Sequence, residues 1–204
     1  MRSVVSVPPS FAMKSILPVS ALALSALALA GCSKPASTAA ESAAAVPSQP
    51  APSPVAMAAL PKLGAVPAWK LKDVEGRDVA SDQLKGKVVV LDFWATWCGP
   101  CRMEIPGYVA MQKKYAADGL VIVGVSVDQG GPDVVKPFAA KYGINYQLVM
   151  GDEAIDKLFG GIEAIPTTFL IDRDGQIRDR KVGAEESESY EKKVASVLAE
   201  GGKK

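Results

Sequence analysis

Two of the three cysteines in this 204-residue chain, Cys98 and Cys101, sit together in the run Trp97-Cys98-Gly99-Pro100-Cys101. Cysteines three apart at a helix start can reach disulfide geometry. A thiolate there can attack another disulfide, so the pair can do exchange chemistry. Cys98 falls at the expected helix N-terminus, where free N–H groups and the positive dipole end favour an anion. Pro100 fits the first turn because its missing N–H has no helical partner there. Lowering a thiol pKa from about 8.5 to about 7 takes roughly 2 kcal/mol. The dipole supplies about 0.3–1 kcal/mol at an exposed end. Backbone N–H bonds to the sulfur and a bond from the Cys101 thiol must supply the rest.

Two plainer readings compete. Half a zinc site needs four ligands, and the chain has no His and no second CxxC. An inert structural disulfide would close a loop too short to constrain the unfolded chain much. Redox chemistry is favoured over both, and no metal or cofactor is expected. The absence of His also removes Ser-His-Asp triads, Cys-His proteases and metalloprotease motifs. Lys and Arg number 23 against 22 Asp and Glu, a net charge of +1 that gives no drive toward nucleic acid.

The elements around the pair are legible. Lys87 to Ala95 (KVVVLDFWA) is a near-continuous apolar run, expected as a central strand buried on both faces. Within it, the carboxyl of Asp92 is costly to bury and should have a raised pKa. A helix is expected from Cys98 to about Ala116, kinked at Pro106 and ended by Gly119. Glu104 lies on it, and a solvated helix charge is its plain alternative. Ala68 to Asp73 and Arg77 to Val79 form a hairpin signal around Glu75-Gly76, followed by a short capped turn at Ser81 to Leu84. Strands are further expected at 120–127, 146–150, 167–172 and 176–182, with Asp174-Gly175 turning the last two together. Helices are expected at 133–142, 154–159 and 187–200. This order means a mixed sheet with helices on both faces.

Asp92-Phe93-Trp94-Ala95-Thr96-Trp97-Cys98-Gly99-Pro100-Cys101 closely resembles the thioredoxin active site, and Ile165-Pro166-Thr167 resembles that family's cis-proline segment. The longer pattern resembles the TlpA/ResA-like branch of exported, membrane-tethered thiol:disulfide oxidoreductases. It includes Leu84-Lys85-Gly86-Lys87-Val88, Glu104-Ile105-Pro106, Gly124-Val125-Ser126-Val127-Asp128 and Leu170-Ile171-Asp172-Arg173-Asp174-Gly175. The resemblance implies an α/β thioredoxin-like fold with an extra N-terminal β-hairpin. It implies that Cys98 is the exposed nucleophile and Cys101 the resolving thiol, the two forming a redox-active disulfide. Trp97, Gly99, Pro100, Ile165 and Thr167 would flank or bind substrate, with a core aromatic the rival reading of Trp97. Pro166 would be cis beside the pair. Asp92 would help proton transfer at Cys101, as the matching acid does in thioredoxins; the tethered branch often has Asn there. Glu104 matches an acid that this branch places near its cysteines.

The Gly-Pro between the cysteines matches the reducing members of the family. The strong oxidants carry a His next to the second Cys, a device this chain lacks. A reductase is therefore expected, with a thiol oxidase or isomerase, or a non-redox binding module, as alternatives. By resemblance its substrates are disulfides of envelope proteins, including apocytochrome c, and its electron donor is a membrane thiol-relay protein.

Ile16 to Ala30 is a short apolar run after Lys14, too short for the roughly 20 residues of a spanning helix and interrupted by Pro18. It reads as a secretory signal, with Met13 a natural start. Leu29-Ala30-Gly31-Cys32 resembles the lipobox of bacterial lipoproteins, which implies lipidation of Cys32. Ordinary cleavage after Ala30 is the rival, but it would leave a lone free thiol in an exported protein. Ser33 to Pro61 is dominated by Ala, Pro and Ser, 21 of 29 residues, and cannot bury enough apolar surface to offset chain entropy. The expected organisation is a signal at 1–31, a lipid-anchored tether at 32–62, a domain at 63–200 and a tail at 201–204. The domain would face the periplasmic side of a bacterial envelope.

Overall fold

The computed structural model describes residues 59–200. The signal, Cys32, nearly all of the tether and the 201–204 tail lie outside the described residues.

In chain order the elements are β1 (Gly64–Ala65), β2 (Lys70–Asp73), β3 (Asp78–Ala80), β4 (Val88–Trp94), α1 (Gly99–Tyr115), β5 (Leu120–Ser126) and α2 (Pro132–Tyr142). They continue with β6 (Gln147–Met150), α3 (Glu153–Leu158), β7 (Thr167–Ile171), β8 (Gln176–Val182) and α4 (Ser187–Glu200). The strands form one mixed sheet in the order β1-β8-β7-β4-β5-β6-β2-β3. β4, β5 and β6 are parallel, and their crossovers are α1 and α2. β7 runs antiparallel to β4, with β8 antiparallel beyond it. The hairpin β2–β3 extends the other edge by pairing with β6.

β4 is buried at every position because it has a core on each side. Val88 and Val90 pack with Tyr108 and Met111 of α1 and with Tyr190, Val194 and Val197 of α4. Val89, Leu91 and Phe93 face the other way, toward Phe169, Trp69, Leu71, and Ile155 and Phe159 in and just after α3. A strand buried on both faces needs the unbroken apolar run that Val88–Trp94 supplies. Helices therefore cover both faces, as the residue order implied.

Some expectations shift. β1 was not foreseen: two residues carry no periodicity, and only pairing of Gly64 with Ile177 and Ala65 with Gln176 defines the strand. α1 runs through Pro106 as one helix and stops at Tyr115, short of Gly119. Gly119, at φ 90°, instead turns the chain into β5. β8 is also irregular. Ile177 pairs with Ile171 and Asp179 with Leu170, so Arg178 is an extra residue, a β-bulge.

Candidate active site

Cys98 is the N-cap of α1, and its Sγ accepts the Cys101 backbone N–H at 3.2 Å. The two sulfurs are joined at 2.01 Å, with the Cα atoms 5.3 Å apart. Gly99 leaves open space where a side chain would stand, and Pro100 occupies the first turn. Cys98 was expected to be exposed. In this disulfide state it is only 5 % exposed, because its sulfur is tied to Cys101 and packed against the 165–166 loop. Trp97, the residue before it, is 67 % exposed. The reading of Trp97 as a core aromatic is therefore wrong: the core tryptophans are Trp69 and Trp94.

The Ile165–Pro166 bond is cis, and the Ile165 carbonyl oxygen lies 3.8 Å from Cys98 Sγ. The Ile165 N–H has no hydrogen-bond partner among the described residues, whereas the Pro166 carbonyl accepts from the Gly183 N–H. An extended peptide could pair with Ile165 beside the sulfur. Thr167 does not face that space. It is buried in β7, and its hydroxyl donates to the Ala164 carbonyl at 2.7 Å, which braces the loop from within.

Asp128 holds the segment that enters the cysteine turn. Its carboxylate accepts the Thr96 N–H at 2.9 Å, the Thr96 hydroxyl at 2.6 Å and the Ser126 hydroxyl at 2.8 Å. Thr96, Trp97, Val127, Asp128, Gln129, Gly130 and Val134 line a groove of about 480 Å³ that reaches the residue before Cys98, although neither cysteine lines it. The larger cavity, about 510 Å³ between Trp69, Leu84, Ile171 and Gly175, contains neither cysteine nor the cis-proline loop.

A polar cluster lies buried under α1. Asp92, Thr168 and Lys181 are cross-strand neighbours on β4, β7 and β8, so their side chains share one face of the sheet. The Thr168 hydroxyl donates to Asp92 Oδ1 at 2.8 Å and lies 3.3 Å from the Tyr108 hydroxyl. The Lys181 ammonium donates to the Tyr108 hydroxyl at 3.3 Å and to Glu104 Oε1. Glu104 Oε1 also accepts the Glu185 N–H at 3.1 Å, while its Oε2 has no partner among the described residues. Burial pushes the Asp92 carboxyl up to about 7; the Thr168 bond opposes this, Glu104 adds to it, and Lys181 opposes it. The solvated reading of Glu104 fails, since it is 4 % exposed and ion-paired. On β5, Gly124 pairs with Asp92, and a side chain there would stand 2.8 Å from the Trp94 indole nitrogen.

Lys181, Thr168 and Asp128 were missed as site residues. Asp128 ended a motif already noted, and Thr168 followed the cis-proline segment directly. Lys181 gave no signal, because Arg178-Asp179-Arg180-Lys181 reads as a solvated edge. Among the described residues no cluster of His, Cys, Asp or Glu could hold a metal ion, and no helix is long and apolar enough to cross a membrane.

Residues 64–180 match the AhpC/TSA family. The chain is 35% identical over 134 residues to the thiol-disulfide oxidoreductase ResA of Bacillus anthracis, covering 63% of this chain and 75% of that one. It is 34% identical over 130 residues to the thioredoxin-like protein YneN of Bacillus subtilis, with the same coverage. Among solved structures, a thiol:disulfide interchange protein DsbE from Chlorobium tepidum superposes with a TM-score of 0.62 at 33% identity. That match covers 68% of this chain and 99% of the other. The fold is thus thioredoxin-like, with the added hairpin at one sheet edge.

Proposed function

This chain belongs to the AhpC/TSA family, and within it to the ResA-like proteins; from that membership we propose that it is a thiol-disulfide oxidoreductase working as a reductase of protein disulfides. The observation that carries the reading is the Cys98–Cys101 disulfide at the start of α1, with Cys98 Sγ against the Ile165 carbonyl of the cis-proline loop. In the reduced protein the Cys98 thiolate attacks a substrate disulfide and forms a mixed disulfide, releasing one substrate thiol. Cys101 gives its proton to Asp92 and attacks Cys98 Sγ. The second substrate thiol leaves, and the Cys98–Cys101 bond forms. The substrate gains two electrons and the protein loses two. An extended substrate lies between the Ile165 backbone and the groove beside Trp97.

The direction is argued from Gly99-Pro100 between the cysteines and the absence of His. A potential near the −270 mV of thioredoxin is expected, and a redox titration above about −180 mV would refute the reductase assignment. The setting is argued from the Ile16 to Ala30 segment and Leu29-Ala30-Gly31-Cys32. It is the periplasmic side of a bacterial envelope, with a lipid on Cys32, a membrane thiol-relay protein as electron donor, and envelope proteins such as apocytochrome c as substrates.

The test is dithiothreitol-driven insulin reduction by wild type and Cys98→Ser. Loss of activity in the variant is expected; equal activity would leave only a binding module. Refolding of scrambled ribonuclease tests for the isomerase alternative. Cys101→Ser should stay disulfide-linked to its substrates and so identify them.

A further inference from the structure

Lysine is rarely buried without a reason, because its ammonium is costly to desolvate. Lys181 is 8 % exposed and lies under the helix that carries both cysteines. Its ammonium meets Glu104 and Tyr108 of α1 and lies 5.0 Å from the centre of the Tyr190 ring on α4. One hydrogen-bonded chain then runs Glu104–Lys181–Tyr108–Thr168–Asp92. The charged groups acting on Asp92 are Glu104 from α1 and Lys181 from β8; the buried Tyr108 on α1, Tyr190 on α4 and Tyr146 before β6 in turn feel the Asp92 charge. Gly124 on β5 contributes no side chain on its other flank. The three tyrosines are held neutral by burial. The charge that Asp92 faces is therefore set by Glu104 and Lys181.

We propose that Lys181 is a positioning residue for the resolving step: its ammonium, fixed between Glu104 and Tyr108, offsets the Glu104 charge and so sets the pH range in which Asp92 can accept the Cys101 proton. The proposal rests on the reading of Asp92 as the base. In that step the S–H bond of Cys101 breaks and its proton goes to the Asp92 carboxylate. The sulfur electron pair forms the bond to Cys98 Sγ. The bond between Cys98 and the substrate breaks, and its electron pair leaves with the substrate sulfur, which takes a proton from solvent. Below its pKa Asp92 already holds a proton and cannot take another. The rate therefore falls on the acid side, and the position of that limb reports the charge Asp92 faces.

The signs follow from the charges. Lys181→Met keeps an unbranched side chain and removes the cation, so Asp92 faces Glu104 alone and the limb moves to higher pH. Lys181→Arg restores it. Glu104→Gln leaves the cation unopposed and moves the limb to lower pH. The double variant Glu104→Gln/Lys181→Met removes both charges and brings the limb back toward wild type.

The experiment is single-turnover release of the second thiol from a synthetic peptide disulfide, with reduced protein, from about pH 5 to 9. The Lys181→Met limb is expected to move up by about one pH unit, a tenfold slower release on the acid side with no change at the alkaline end. A limb left in place in Lys181→Met, while Asp92→Asn abolishes it, overturns the role of Lys181 and leaves Asp92 as the base. A wild-type limb in Asp92→Asn overturns the base reading and the proposal with it. Equal shifts in Lys181→Met and the double variant would mean lost packing, not lost charge, and also overturn it. If Lys181→Met does not fold, Glu104→Gln and the double variant decide: the first must shift down and the second must lie near wild type.

Discussion

Asp92→Asn should stabilise the protein, and by an amount that depends on pH. The Asp92 carboxyl is raised from 3.8 to about 7 by burial in β4. Folded protein thus binds this proton more tightly than the unfolded chain does. The stability that accompanies the proton is fully present below pH 4 and is lost as pH rises through about 7. A shift of about three units corresponds to about 4 kcal/mol in full, of which about 2.5 kcal/mol falls between pH 5 and pH 8. Asn keeps an oxygen to accept the Thr168 hydroxyl and has no charge to desolvate. Its own fit in the site is a constant offset, so the slope is the informative quantity. Guanidinium unfolding of both proteins with the disulfide intact, at pH 5, 6.5 and 8, measures it. The advantage of the variant should grow by about 2.5 kcal/mol across that range. A difference that stays flat within about 0.5 kcal/mol would refute the argument that Asp92 is buried at the expense of its charge. The same variant should lose reductase activity most clearly near neutral pH, so the residue that weakens the fold is one the reaction uses.

Three other outcomes are expected. Asp128→Ala leaves the Thr96 N–H and the Ser126 hydroxyl without their acceptor, and should cost about 2–3 kcal/mol in denaturant unfolding. It should also lower single-turnover rates, because the turn that presents Cys98 is no longer held. Trp97→Ala removes an exposed side chain, so stability should change by less than about 0.5 kcal/mol. KM for a peptide disulfide should rise, since the groove at Trp97 loses a wall. Arg178→Leu should destabilise by about 3–5 kcal/mol by thermal or denaturant unfolding. Arg178 is buried, pairs with Asp172 and Glu200, and donates to the Leu60 and Pro61 carbonyls, so its loss removes the counter-charge from the buried Asp172 carboxylate, which keeps only backbone N–H partners, and unfastens the first described residues from β8.

The residues that determined the chemistry were adjacent in the chain. Cys98, Gly99, Pro100 and Cys101 needed only the strand before them and the helix they open, and both are local patterns. The double-sided burial of Val88–Trp94 was legible because a strand with a core on each face cannot carry alternation. The high cost of Asp92 followed from one acid in that run. α4 was legible from Tyr190, Val194, Val197 and Leu198, which return to one helical face and are all buried.

What the chain alone left undecided were relations between distant strands. β1 exists only because Gly64 and Ala65 find β8. The burial of Cys98 comes from a loop 67 residues away. Lys181 belongs to the site because of a bulge. The extra residue at Arg178 puts Ile177 on the face of Ile171 while Asp179 and Lys181 turn toward α1 and α4. Side chains alternate with a period of two, so one added residue reverses the facing of all that follow. Local periodicity carries no record of where a partner strand skips a residue; without that skip Arg180 would stand opposite Thr168, and Lys181 would turn to the other face of the sheet.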